Sequence, residues 1–237
     1  MWLDWDNAVS LSGHDIEVKK TYLSLLGSRR RPELFLDIGA NYGTHSLLFL
    51  VHGVDTIAFE PNAECHALYR DLCATNGVEP RIEAVALGER DDCVTLQYPL
   101  RDTWLGSTEP HVTRPLQTLD TLKTVRVRQR RLDDYLADIG SRRLLIKIDT
   151  EGSQLRVLRG GLEILRQKHP LVIFESWPGS ERGDLFELLR SIAFDVVALP
   201  WSPDAASQSL DLDDFLVSAA NDFMAVPRFG FRGGHER

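Results

Sequence analysis

The chain has 237 residues, 43% hydrophobic and 26% charged, with 35 acidic against 27 basic side chains and a formal net charge of -8. That supplies enough apolar material for one large domain. The acidic balance excludes the broad positive field that holds a protein on a nucleic-acid backbone or an anionic membrane.

The N-terminal stretch 1–9 sets Asp4 and Asp6 among two tryptophans and lacks the basic start and apolar run of a secretory leader, and no run approaches the ~18 apolar residues that span a bilayer. Cys65, Cys73 and Cys93 form no C-x-x-C pair and no even disulfide framework, which points to a reducing, cytoplasmic setting. Residues 1–33 are expected to form a helical extension packed on the domain, and Trp2, Leu3 and Trp5 leave a homodimer open. The Arg29-Arg30-Arg31 cluster reads as solvated surface.

Apolar runs bounded by turn residues predict strands over 34–38, 56–60, 81–87, 144–149, 171–175, 195–199 and 222–226. Helix-period stretches cover 43–51, 63–76 and 153–167, the last with an expected break at Gly160-Gly161. Strands alternating with helices predict a mostly parallel sheet with helices on both faces, an α/β domain over 34–227. An insertion over 91–131 interrupts the alternation: 94–98 and 124–129 predict further strands, the latter alternating Arg126, Arg128 and Arg130 along one solvated face. Gly106, Pro110 and Pro115 predict a surface loop between them, and 228–237 predicts a flexible tail.

The segment from Phe35 to Ser46 reads as a strand, a glycine-bearing turn and a helix start, the arrangement that receives a ligand at the carboxyl edge of a parallel sheet. Gly39 is expected to let backbone approach a bound molecule, Gly43 to relieve crowding at the helix start, and Asp37 to offer a carboxylate to a cationic amino-acid moiety. A dinucleotide fingerprint needs G-x-G-x-x-G, whereas this chain has D-x-G-x-x-x-G with Asn41 where the close-approach glycine belongs. The spacing therefore favours S-adenosylmethionine over a nicotinamide cofactor. Glu60, about 20 residues on and followed by Pro61, takes the place of the acid that accepts from ribose hydroxyls. Tyr42 in the turn, and Ala86 and Leu87 at the third strand, complete the candidate cofactor set.

Lys147, Asp149 and Glu151 alternate, so the pleat sends them to one face until the strand ends, where the lysine must pair with one of the acids. Asp149 or Glu151 is the candidate general base or orienter of an acceptor hydroxyl, with Lys147 holding it. Glu175 at the next strand end and Trp104 in the insertion are candidate acceptor contacts, and Trp177 and Trp201 stand in further edge loops. His45 reads as structural, and His111 lies in the insertion, where 104–108 is open between a lid over the acceptor pocket and an inert surface loop. A divalent metal is not favoured, since no spaced His or Cys set accompanies the acids.

The runs FLDIGANYGTHS, AFEPN, ALGE, LDDYL, IKIDTEGSQLRVLRGG and LVIFES occur in order from about Leu34 to Val226, and together they resemble the FkbM-type methyltransferases. The resemblance implies a Rossmann-like class I methyltransferase fold, S-adenosylmethionine as cofactor, and O-methylation of a small-molecule, natural-product or glycan acceptor. Gln154 departs from the acid that this pattern usually carries. A non-catalytic S-adenosylmethionine-binding module and a nicotinamide-dependent oxidoreductase are the alternatives.

Overall fold

The computed structural model describes residues 14–99, 106–116, 121–179 and 181–229; Trp2, Leu3, Trp5, Trp104 and the tail beyond 229 lie outside them. The described strands are β1 (Leu34–Ile38), β2 (Asp55–Phe59), β3 (Arg81–Glu83), β4 (Ala86–Leu87), β5 (Asp92–Pro99), β6 (Leu122–Arg130), β7 (Leu144–Ile148), β8 (Leu171–Glu175), β9 (Phe194–Ala198) and β10 (Asp222–Pro227). The helices are α1 (Ile16–Leu26), α2 (Thr44–Val51), α3 (Ala63–Thr75), α4 (Pro110–Leu116), α5 (Leu136–Ile139), α6 (Gln154–Arg159), α7 (Leu162–Lys168), α8 (Arg182–Ser191) and α9 (Leu212–Val217).

Seven strands form one sheet in the order β3-β2-β1-β7-β8-β10-β9, parallel except for β10, which runs antiparallel to both neighbours. β1 and β7 are buried along their whole length. That is why they read as unbroken apolar runs. Alternation divides their side chains between two cores. Leu34, Leu36 and Ile38 join Leu144, Ile146 and Ile148 on one face, while Phe35 and Leu145 pack on the other with Val18, Tyr22 and Leu25 of α1 and Phe49 of α2. The chain leaves β1 and β7 on opposite sides, which opens a crevice at their carboxyl ends. This is a Rossmann-like α/β arrangement, with helices on both faces of a mostly parallel sheet.

Three expectations change. The 81–87 run is two strands: β3 continues the main sheet, whereas β4 pairs with β6 of the insertion in a separate sheet, β4-β6-β5. β5 and β6 run longer than the expected 94–98 and 124–129 and pair antiparallel from Asp92 opposite Gln129 to Pro99 opposite Leu122, so the insertion builds its own sheet. The proline-bearing segment is not a simple surface loop: 110–116 is helical, and Ser107, Glu109 and Thr113 are buried. The break at Gly160-Gly161 is present and separates α6 from α7. Among the described residues no helix is long and apolar enough to cross a membrane.

Candidate active site

At the crevice an open cleft of about 640 Å³ is lined by the β1–α2 turn, the ends of β2 and β4, the insertion and the loop after β7. Ile38, Phe59, Val85, Leu87 and Leu96 give it apolar surface, and Glu60, Asp149 and Glu151 supply carboxylates.

The turn is shaped from below. Gly39 has φ +82, and a Cβ there would lie 1.8 Å from the Asp149 carbonyl oxygen. Its amide and that of Ala40 donate to the Phe59 carbonyl at 3.0 and 3.1 Å, and the Asp149 amide donates to Ile38 at 2.9 Å. The neighbouring strand end thus requires a glycine here, and Gly39 also lines the cleft. Asn41 takes a left-handed φ of 49, and Gly43 caps α2 with the Tyr69 ring against it.

Glu60 sits at the tip of β2, 8% exposed, and each of its oxygens accepts a backbone amide: Asn41 on Oε2 at 2.8 Å and Asn62 on Oε1 at 2.7 Å. Burial raises its pKa to about 7, against the lowering effect of those two amides and with a further raise from Asp37. Pro61, Ala86 and Leu87 line the cleft beside it. Asp37 does not face the cleft: it is fully buried, and its Oδ2 accepts the Ser46 amide at 3.0 Å and hydroxyl at 2.6 Å. Strand alternation turns it to the face opposite Ile38, where it ties α2 to β1, so direct contact with a cofactor's amino-acid end is withdrawn. Tyr42 and Gly43 also stand outside the lining.

The second group lies on the α1 face of the sheet. Lys147 is in register with Asp37 across β1 and β7, is 3% exposed, and donates to Asp149 Oδ2 at 2.6 Å. The lysine therefore pairs with Asp149 rather than Glu151. Burial pulls its pKa down, but Asp149 and Asp37 outweigh that and hold the ammonium above its ordinary value. Glu175 stands directly opposite Asp222 on β10. Asp15, preceding α1, has carboxylate oxygens 3.2 Å from His45 Nε2 and 2.7 Å from His14 Nδ1. Burial, with the charges of Asp149, Glu151 and Asp222, raises Glu175 to about 8. Burial and Asp149 raise Glu151 to about 7. Burial, Asp15 and Asp149 raise Asp222 to about 6. One carboxylate oxygen from each of Asp149, Glu151 and Glu175 lies within 4.8 Å of the others, a spacing able to hold a divalent cation.

Sequence reasoning missed four supports. Asp15 and Asp222 reach the site only through helix docking and strand register. Arg182, 1% exposed, donates to the backbone carbonyls of Ser176, Phe215, Leu216, Ser218 and Ala220 at 2.5 to 3.4 Å, fixing the loops beside Glu175 and Asp222. Glu109 sits on the insertion, where Ser107 Oγ donates to the Glu151 carbonyl at 2.6 Å. Proline-rich sequence around Glu109 resembles exposed loop, and nothing local in the chain marks an arginine that binds carbonyls.

Among solved structures, an FkbM methyltransferase from Methylobacillus flagellatus is similar at 17% identity and TM-score 0.49, covering 82% of this chain but 43% of its own, so this chain spans less than half of that protein. A precorrin 8w decarboxylase from Methanobacterium thermoautotrophicum (13% identity, TM-score 0.46) covers 89% of both chains. A precorrin-6y C5,15-methyltransferase from Geobacter metallireducens (12% identity, TM-score 0.46) covers 89% of this chain and 86% of that one. Curated proteins include no significant match. The family model described as methyltransferase FkbM domain matches residues 37–216, most of the chain, and the protein belongs to the FkbM methyltransferase family.

Proposed function

We propose that the chain binds S-adenosylmethionine in the cleft and moves its methyl group to a hydroxyl of a small-molecule, natural-product or glycan acceptor. One observation supports this above the rest: a single cleft is lined both by the buried Glu60 carboxylate at the end of β2 and by the Asp149 and Glu151 carboxylates after β7. The residues fit the cofactor. Glu60 keeps lone pairs beyond its two amide bonds and accepts from the ribose hydroxyls, while Phe59, Val85 and Leu87 flank the adenine with Ala86. The Gly39–Asn41 backbone lies at the amino-acid end.

The cofactor supplies a methyl group on a positively charged sulfur, which the acid-rich edge favours electrostatically. Glu151, with a pKa near neutrality, takes the proton from the acceptor hydroxyl; Asp149, held at Oδ2 by Lys147, orients that hydroxyl. Glu175 contacts the acceptor. Lys147 already supplies the counter-charge of Asp149, so the acids are read as proton carriers rather than metal ligands. Residues 34–227 form the transferase domain in this reading and 1–33 its extension, working in a reducing cytoplasm.

Transfer of labelled methyl from S-adenosylmethionine to a panel of hydroxylated sugars, polyols and polyketides tests the reading. Labelled product that disappears with Glu151→Gln is expected. Donor binding without transfer to any acceptor contradicts the catalytic reading, and tighter binding of NAD than of S-adenosylmethionine contradicts the cofactor.

A further inference from the structure

The part of the insertion nearest the cleft, 106–116, is bound to the loop after β7 by more than packing. Ser107 exchanges backbone hydrogen bonds with Gln97 of β5 at 3.0 and 2.9 Å, and its hydroxyl donates to the Glu151 carbonyl at 2.6 Å. The Glu109 amide donates back to Ser107 Oγ at 3.0 Å, and the Glu109 carboxylate accepts from Ser153 Oγ at 3.1 Å and Arg156 Nη1 at 2.7 Å. Thr108 Oγ1 lies 3.2 Å from Ser153 Oγ. Helix α4 presses on the same loop. Gly152 has φ +93, and a Cβ there would come within 2.8 Å of Val112 Cγ2. Gly106, Ser107 and Thr108 form one wall of the cleft, facing Glu151 and Ser153.

The charges in this contact are unequally placed. The Glu109 side chain is 2% exposed, whereas its partner Arg156 is 51% exposed. A carboxylate removed from water is stable only while paired and hydrogen-bonded, so taking away the outer partner leaves an uncompensated inner charge. Returning Glu109 to water relieves that charge. Ser107 is hydrogen-bonded to both Glu109 and Glu151, so the wall would leave the cleft with it.

We propose that Glu109 is a positioning residue: paired with Arg156 and Ser153, it latches the 106–116 wall onto the loop that carries Glu151. It sets where Glu151 stands and how long the donor stays in the cleft. The inference rests on the proposed methyl-donor reading for its second consequence and on geometry alone for its first. It makes Arg156, a half-exposed side chain outside the cleft lining, control events inside it.

The experiment compares wild type, Arg156→Gln, Glu109→Gln and the double variant, by stopped-flow release of S-adenosylhomocysteine and by hydrogen exchange. Arg156→Gln is expected to speed release about tenfold, a buried pair's loss discounted for the exposure of one partner. The double variant should release more slowly than the two single effects combined, because one interaction is removed in all three. Exchange should rise over both 106–116 and 149–153 and stay unchanged in β1. A merely structural role would lower the melting temperature without this selective, non-additive change. Unchanged release and exchange in Arg156→Gln would overturn the latch. If wild type does not bind S-adenosylhomocysteine, the donor reading fails and exchange alone decides the latch: coupled rise upholds it, no rise overturns it.

Discussion

The two halves of the cleft are built on different principles. The half that the proposed function gives to the donor is made largely of backbone: the Gly39–Asn41 turn, two amides on Glu60 and the short ends of β2 and β4. The half that the proposed function gives to the acceptor rests on side-chain charge: Asp149 and Glu151 line it, Lys147 lies behind them between Asp37 and Asp149, and Glu151, Glu175 and Asp222 are pushed toward their neutral forms. A backbone-made site holds one shape for a constant ligand. A site of crowded acids stores unfavourable electrostatics that a cationic methyl donor relieves, and its acids titrate where proton transfer to a carboxylate is useful.

The comparison breaks first at the acids. Glu151→Gln should lower turnover by about 10²–10⁴-fold, the range for a lost general base, while the donor dissociation constant stays within a few-fold. Single-turnover rates and calorimetry separate the two, and a comparable loss of donor affinity would merge the halves that the account keeps apart.

Gly39 is where the halves touch. Gly39→Ala sets a Cβ 1.8 Å from the Asp149 carbonyl in a left-handed backbone conformation, so it should destabilise the fold by about 3 kcal/mol or more, or prevent folding. Urea denaturation measures this, and a loss under 1 kcal/mol would mean the strand ends shift apart easily.

A smaller effect sharpens the contrast in pH. For Glu151, Glu175 and Asp222 the folded pKa lies above the ordinary value, so the stability they contribute is fully present below about pH 4 and is lost as pH rises through about 6 to 8. Glu175→Gln removes the largest of these losses. Its melting temperature should exceed that of wild type at pH 8, by about 2–4 °C per kcal/mol, and the advantage should vanish near pH 5. An advantage independent of pH would show that Glu175 acts through packing.

This division also explains what could be read from the chain. The donor half was legible because its residues are close in sequence: a glycine turn after an apolar strand, and an acid ending the next. Lys147, Asp149 and Glu175 were legible from strand alternation. Asp222 opposite Glu175 depends on the register of an antiparallel strand far along the chain, and Asp15 on how α1 docks. Strand alternation alone turns Asp37 from the cleft toward Ser46, whereas Gly39 owes its identity to a strand over a hundred residues away. Glu109 is buried inside a segment whose prolines read as solvent-exposed loop. What is local in the chain was predictable, and what depends on long-range pairing was not.

The central claim is that the Glu60 carboxylate anchors the donor. Calorimetric titration of S-adenosylhomocysteine into wild type and Glu60→Gln between pH 6 and 8 tests it most directly. The account predicts 1:1 binding that strengthens in wild type as Glu60 ionises near pH 7, and affinity at least tenfold weaker and nearly independent of pH in the variant, whose melting confirms a folded protein. Equal affinities with the same pH dependence would contradict it.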